Sequence, residues 1–244
     1  MQTLQMPRLP GLRFGRSDSE VICDHLENDL SNHALREDLL CQGHHRIHIV
    51  IPTTVFDCEI NPQLGGFTCP QLASALVNVI PEFKRTGIDP VICLMPCEDT
   101  KRARAILAGR AVHEVAHLLT ARKMASDEIS EADRKNAIPL SQTLGSPPSS
   151  WPVYAGQKKW ATHEASFIRA CLHLHSRMVA RGWDIPLQLT GNWHAYGYED
   201  IEAYADLLER EIRIAGNSPI RQILDAPAPG RFLELWTSET SDSE

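Results

Sequence analysis

The chain of 244 residues has no long apolar run, no C-x-x-C pair and no excess of positive charge. Each absence removes a class of protein. No apolar stretch approaches the about 20 residues that a membrane-spanning helix needs. Residues 1–20 hold no apolar core ahead of a small-residue cleavage site, so no secretory leader is expected. Seven cysteines, an odd number without paired spacing, disfavour both a disulfide framework and a cysteine-based zinc knuckle, and a reduced, cytoplasmic setting is expected. With 31 Asp and Glu against 24 Lys and Arg, the net charge is −7, and the basic surface of a nucleic-acid binder is missing. Neither a membrane nor nucleic acid is therefore an expected partner. Aromatic residues are scarce too, with 4 Tyr and 6 Phe. Histidine is not: there are 11, and imidazole is both the commonest metal ligand and the group that titrates near neutrality.

The pattern along the chain predicts one domain over residues 21–236, between a loose arm at 1–20 and a disordered acidic tail at 237–244. Ile22, Leu26, Leu30, Leu35 and Leu39 follow a rough helical spacing over 21–40, with an interruption expected between Asn28 and Asn32. Residues 46–54 and 90–95 are β-branched and apolar and predict two strands, and Gly65-Gly66 predicts a turn. A helix is expected over 71–84. The clearest helix follows at 101–123, with Asp99 and Thr100 as N-cap oxygens and only Gly109 to weaken it. Residues 125–150 are polar and rich in Ser and Pro, and predict a surface loop inserted within the domain. Further helices are expected at 160–181, stopped by Gly182, and at 198–214. No internal repeat is present.

The organised histidines stand in the middle of the clearest helix, as His113-Glu114-Val115-Ala116-His117. Residues four apart on an α-helix differ by about 40° in azimuth, so both imidazoles leave one face and can grip one ion. Glu114 is rotated by about 100° from His113, which can bring its carboxylate beside a water on that ion. A five-residue H-E-x-x-H match arises by chance in roughly three of a hundred chains of this composition, so the motif is specific without being decisive. An apolar stripe of Ala105, Ala108, Val112, Ala116 and Leu119 runs beside the histidine face, and Gly109 leaves room for something close to the helix one turn earlier.

A catalytic zinc needs a third protein ligand and an open position. On the 160–181 helix the inward stripe is Phe167, Ala170, Cys171, Leu174 and Met178, and His163 lies four residues before Phe167 on that stripe. An imidazole heading an apolar face needs a partner, which a metal or a backbone carbonyl can supply. His163 ranks first as third ligand, Glu164 second, and Glu199 and His194 follow. Tyr154, His194 and Tyr196 are the candidates for donating to a tetrahedral oxyanion.

His113-Glu114-Val115-Ala116-His117 together with the later His163-Glu164-Ala165-Ser166-Phe167 resembles the zincin metallopeptidases of the SprT-like and WLM kind. In these an H-E-x-x-H pair is followed by a distant His with an aromatic residue a few positions on. The likeness covers essentially residues 104–177, and Glu164 stands where those proteins usually have Gly. The resemblance implies a compact α+β zincin-like domain with a small sheet, its H-E-x-x-H helix packed on a second ligand-bearing helix. It further implies Zn2+ held by His113, His117 and His163, Glu114 as general base, and hydrolysis of a peptide bond in a protein or peptide substrate by a zinc-bound water.

Two other readings stay open: a zinc-binding regulator or sensor with narrow or no proteolysis, and an interaction domain whose motif is incidental. Elsewhere, His44, His45 and His48 are expected to be solvated at the start of a strand. Cys93 and Cys97 are expected as small buried residues. Lys101, Arg102, Arg104 and Arg110 are expected to form a solvated helix face. Substrate, cleavage specificity and oligomeric state are not legible.

Overall fold

The computed structural model describes residues 18–41, 43–50, 66–68, 90–94, 97, 101–120, 163, 165–191, 193 and 200–241. These are mostly helical. In chain order they form α1 (Asp18–Asp29), a π turn (Leu30–Ala34), α2 (Arg36–Cys41), β1 (His48–Val50), β2 (Gly66–Thr68), β3 (Val91–Leu94) and α3 (Ala103–Thr120). Then come α4 (Ala165–Ala180), a 3-10 turn (Leu187–Thr190), α5 (Ile201–Ile214), α6 (Ile220–Asp225) and α7 (Gly230–Ser241). Among the described residues, strand is confined to three short segments in the order β1-β3-β2. β1 runs parallel to β3, with Ile49 opposite Ile92, and β2 runs antiparallel to it, with Phe67 opposite Cys93.

The expected interruption near Asn28–Asn32 is the π turn, and its cause lies in the apolar spacing. Leu26 and Leu30 are four apart, as are Leu35 and Leu39, but Leu30 and Leu35 are five apart. An i→i+5 bond, from Leu35 N to Leu30 O at 2.9 Å, takes up the extra residue. All four leucines are then buried on one side.

α3 and α4 pack on each other as the centre of the molecule. α3 contributes Leu107, Ala108, Ala111, Val112, Val115 and Ala116, all fully buried. On α4 the expected stripe Phe167, Ala170, Cys171, Leu174 and Met178 is buried, but so are Ile168, Leu172, Arg169 and His173. α4 is covered on most of its circumference, and its polar residues have partners to match. Arg169 and His173 both bond Glu211 of α5, Arg169 Nε to Oε2 at 3.0 Å and His173 Nε2 to Oε2 at 3.0 Å. Arg169 also donates to the Ala226 carbonyl at 2.7 Å. Arg177 donates to the carbonyls of Ala34 at 2.9 Å and Ala215 at 3.2 Å. These carbonyls lie at the ends of the π turn, α5 and α6, where helices leave acceptors without intrahelical partners.

α4 ends as expected at Gly182, whose φ of +89° needs glycine. Gly182 N bonds Val179 O at 2.9 Å and Trp183 N bonds Met178 O at 3.2 Å, the paired contacts of a Schellman cap. The cap turns Trp183 into the core, where Nε1 donates to Asp29 Oδ2 at 2.8 Å and Arg104 lies over the ring at 3.9 Å from its centroid. α5 begins at Ile201, capped by the Asp200 carboxylate on Glu202 N and Ala203 N at 3.0 and 3.1 Å.

Several expectations are corrected. Gly66 starts β2 instead of completing a turn, because its backbone pairs with Leu94 on β3. Residues 18–20 belong to α1, not to a loose arm. At the other end α7 extends through 237–241 of the expected tail: Thr237 Oγ1 bonds Leu233 O and Ser238 Oγ bonds Leu235 O, each at 2.7 Å, so the hydroxyls bond within the helix. His48 is buried at 8% exposure and faces the Glu27 carboxylate at 3.7 Å, while Ile49 N donates to Glu27 at 3.1 Å. The half-buried Glu27 carboxylate on α1 thus lies against that strand start. The expected helix over 71–84, the loop at 125–150, and residues 1–17 and 242–244 lie outside the described residues. No helix among the described residues is long and apolar enough to cross a membrane.

Replacing Gly182 by Ala tests the cap alone, since an added Cβ meets nothing within 4 Å. The left-handed backbone should cost about 1–2 kcal/mol, measured as a lower denaturation midpoint with unchanged far-UV dichroism.

Candidate metal centre

His113 and His117 leave α3 on the side that faces α4, and His163 reaches the same point from just ahead of α4. The helical placement expected for His163 is thus corrected: α4 starts at Ala165, and His163 sits at a bend two residues earlier. The bend still delivers it. His113 Nε2 lies 3.2 Å from His117 Nε2 and 3.4 Å from His163 Nε2, and one ring nitrogen of each residue lies within 4.8 Å of the other two. Phe167, one α-helical turn beyond the bend, packs its ring on all three imidazoles at centroid distances of 5.0, 4.4 and 4.7 Å. Trp193 backs Phe167 at 6.1 Å.

The hydrogen-bond inventory of these rings decides what the cluster can do. His113 Nδ1 donates to the Thr190 carbonyl at 2.9 Å. Its Nε2 therefore carries a lone pair, and that single in-plane pair faces two neighbouring nitrogens. It can accept one N–H, not two. A cation satisfies all three nitrogens together, and the spacing suits one: ligands at about 2.0–2.1 Å from a tetrahedral zinc are roughly 3.3 Å apart. Neutral imidazole donors suit zinc and other borderline transition metals, not magnesium or calcium.

Burial pushes His113 down to about 4, despite the Thr190 carbonyl, which acts the other way. Burial, with the neighbouring His113 imidazole, lowers His163 to about 3. Burial and both other imidazoles hold His117 well below the usual histidine value. All three rings are neutral at pH 7, the state in which imidazole binds a metal.

Glu114 is buried at 6% exposure on α3, beside His113 in sequence. Glu164, Glu199, His194, Tyr154 and Tyr196 lie outside the described residues. What the sequence reading missed is Thr190, whose backbone carbonyl orients His113 across 77 residues of chain. A carbonyl has no side-chain signature; the only hint was Gly109, which lies against Leu189 of the same turn. The basic face is exposed as expected at Lys101, Arg102 and Arg104, the last of which also lies over the Trp183 ring, and is corrected only at Arg110, which is half-buried.

No protein-family model, no curated protein and no solved structure matches the chain.

The neutral trio predicts acid sensitivity of the metal-free protein. Unfolded histidine titrates near 6.5, above the folded values of His113 and His163. Between these limits the unfolded chain binds more protons, so stability is present above pH 6.5 and is lost as pH falls toward 4. Urea denaturation at stepped pH should show that fall, and the His163→Leu variant should show a shallower one.

Proposed function

We propose that this chain is a zinc-dependent hydrolase, specifically a metallopeptidase on an α+β zincin-like domain. The observation that carries the reading is the convergence of one ring nitrogen each from His113, His117 and His163 within 4.8 Å of one another, beside the Phe167 ring. These residues would hold the ion. Zinc in such a site supplies Lewis acidity toward water and a substrate carbonyl. Glu114 takes the proton from the attacking water and passes it to the leaving amine. Phe167 closes one side of the histidine cluster to bulk water, which strengthens the electrostatic interactions within it. The choice of a peptide bond, and so of a protein or peptide substrate, rests on the resemblance of the two motifs to SprT-like and WLM zincins.

Metal analysis of purified protein is the first test. A single zinc per chain, retained on desalting, with stability lowered by a chelator, is the expected result. Metal-free protein indifferent to chelators would leave the motif incidental. Glu114→Gln should retain zinc and lose at least about 10²-fold of its cleavage of fluorescently labelled, unfolded casein. His163→Ala should weaken zinc binding markedly, and undiminished affinity would move the third ligand elsewhere. Zinc binding by a wild-type chain that cleaves nothing would favour the regulatory reading.

A further inference from the structure

We infer that the 3-10 turn Leu187–Thr190 is a positioning element for the metal centre, seated in a notch that Gly109 cuts in α3. The inference rests on the reading of the three histidines as metal ligands and adds what sets the direction of one of them.

Two independent features meet at the notch. Gly109 lies one helical turn before His113, and a Cβ built on it would fall 2.4 Å from Leu189 O, 2.7 Å from Leu189 C and 2.9 Å from Leu189 Cβ. The two nearest of these atoms are backbone, which cannot swing aside as a flexible side chain can. Any side chain at 109 would displace the turn. Glycine is a poor residue for a helix interior, yet here it is the residue that admits the turn.

The second feature is what the close approach delivers. Thr190 is fully buried, and its carbonyl accepts from His113 Nδ1 at 2.9 Å. The turn that carries this carbonyl is itself held: Thr190 Oγ1 bonds Leu187 O at 2.7 Å, and Trp193 Nε1 donates to the same oxygen at 3.3 Å. Cys171 Sγ on α4 approaches Thr190 O at 3.9 Å. The carbonyl is thereby fixed against both α3 and α4. It holds the His113 proton on Nδ1 and turns the Nε2 lone pair toward His117 and His163. A partner of this kind fixes the tautomer and ring orientation of a ligating histidine and raises its basicity.

The test compares wild type with Gly109→Ala by zinc titration against a chromophoric chelator, with Co2+ absorption spectra as a second reading of the ligand geometry. A partner that orients a ligand is worth about 10–100-fold in metal affinity. Gly109→Ala should therefore bind zinc at least tenfold more weakly while keeping its helical dichroism, and its Co2+ spectrum should change. Equal affinity and an unchanged spectrum in a folded Gly109→Ala protein would overturn the positioning role. Should the variant not fold, long-range 1H–15N spectra of wild type decide. His113 should carry its proton on Nδ1 both without metal and with zinc, and a proton on Nε2 in the metal-free protein overturns the inference. Wild type that binds no zinc at all removes the metal reading, and this inference with it. Wild type that binds zinc beside an unaffected Gly109→Ala removes the positioning role alone.

Discussion

The convergence of three half-buried imidazole rings between α3 and the approach to α4 is the constraint around which the rest of the described structure is arranged. A polar group removed from water without a partner costs about 1–3 kcal/mol. Three imidazoles brought to one point meet that constraint together, and burial holds all three below the usual histidine value. Every neighbour bears on this. Phe167 packs on the rings, the Thr190 carbonyl accepts from His113 Nδ1, and one nitrogen of each ring faces the other two.

Such a site needs rigid walls, and α4 supplies them by being buried on most of its circumference. A helix in that position must satisfy polar groups that a surface helix would give to water. Arg169 and Arg177 do so from opposite ends of α4, donating to carbonyls at helix ends, where no intrahelical donor reaches them. Burial alone would raise the Glu211 carboxyl, yet the hydrogen bonds from Arg169 and His173 hold it below the usual carboxylate range. The paired charges fix α4 to α5 and α6. Loss of one partner leaves a buried charge uncompensated, so their contribution is to the uniqueness of the packing more than to net stability.

The helices that frame the site were legible where local chemistry sets them. Gly182 as a C-cap and the leucine spacing of α1 and α2 are effects within a few residues of chain. The expected start at 198, by contrast, passed over Asp200, the non-helical cap ahead of Ile201. Thr237 and Ser238 misled because acidic, hydroxyl-rich composition suggests disorder, while both side chains bond their own helix. His163 shows the opposite error. Its distance from Phe167 matched a helical stripe, but the chain brings it beside His113 and His117 from a bend, so the helical argument for its position does not hold.

By itself the sequence determined that His113 and His117 share a helix face, since a four-residue spacing permits little else. It also determined that Glu114 accompanies them and that α4 presents Phe167 inward. Only the tertiary structure decided that His163 joins the pair and that Thr190, far along the chain, orients His113. It also decided that His48, expected in water, lies buried beside Glu27. The division follows from the range of the forces. Helical periodicity and caps act over one or two turns and leave a trace in residue order. A backbone carbonyl or a carboxylate from a distant segment acts only once packing has brought it into contact.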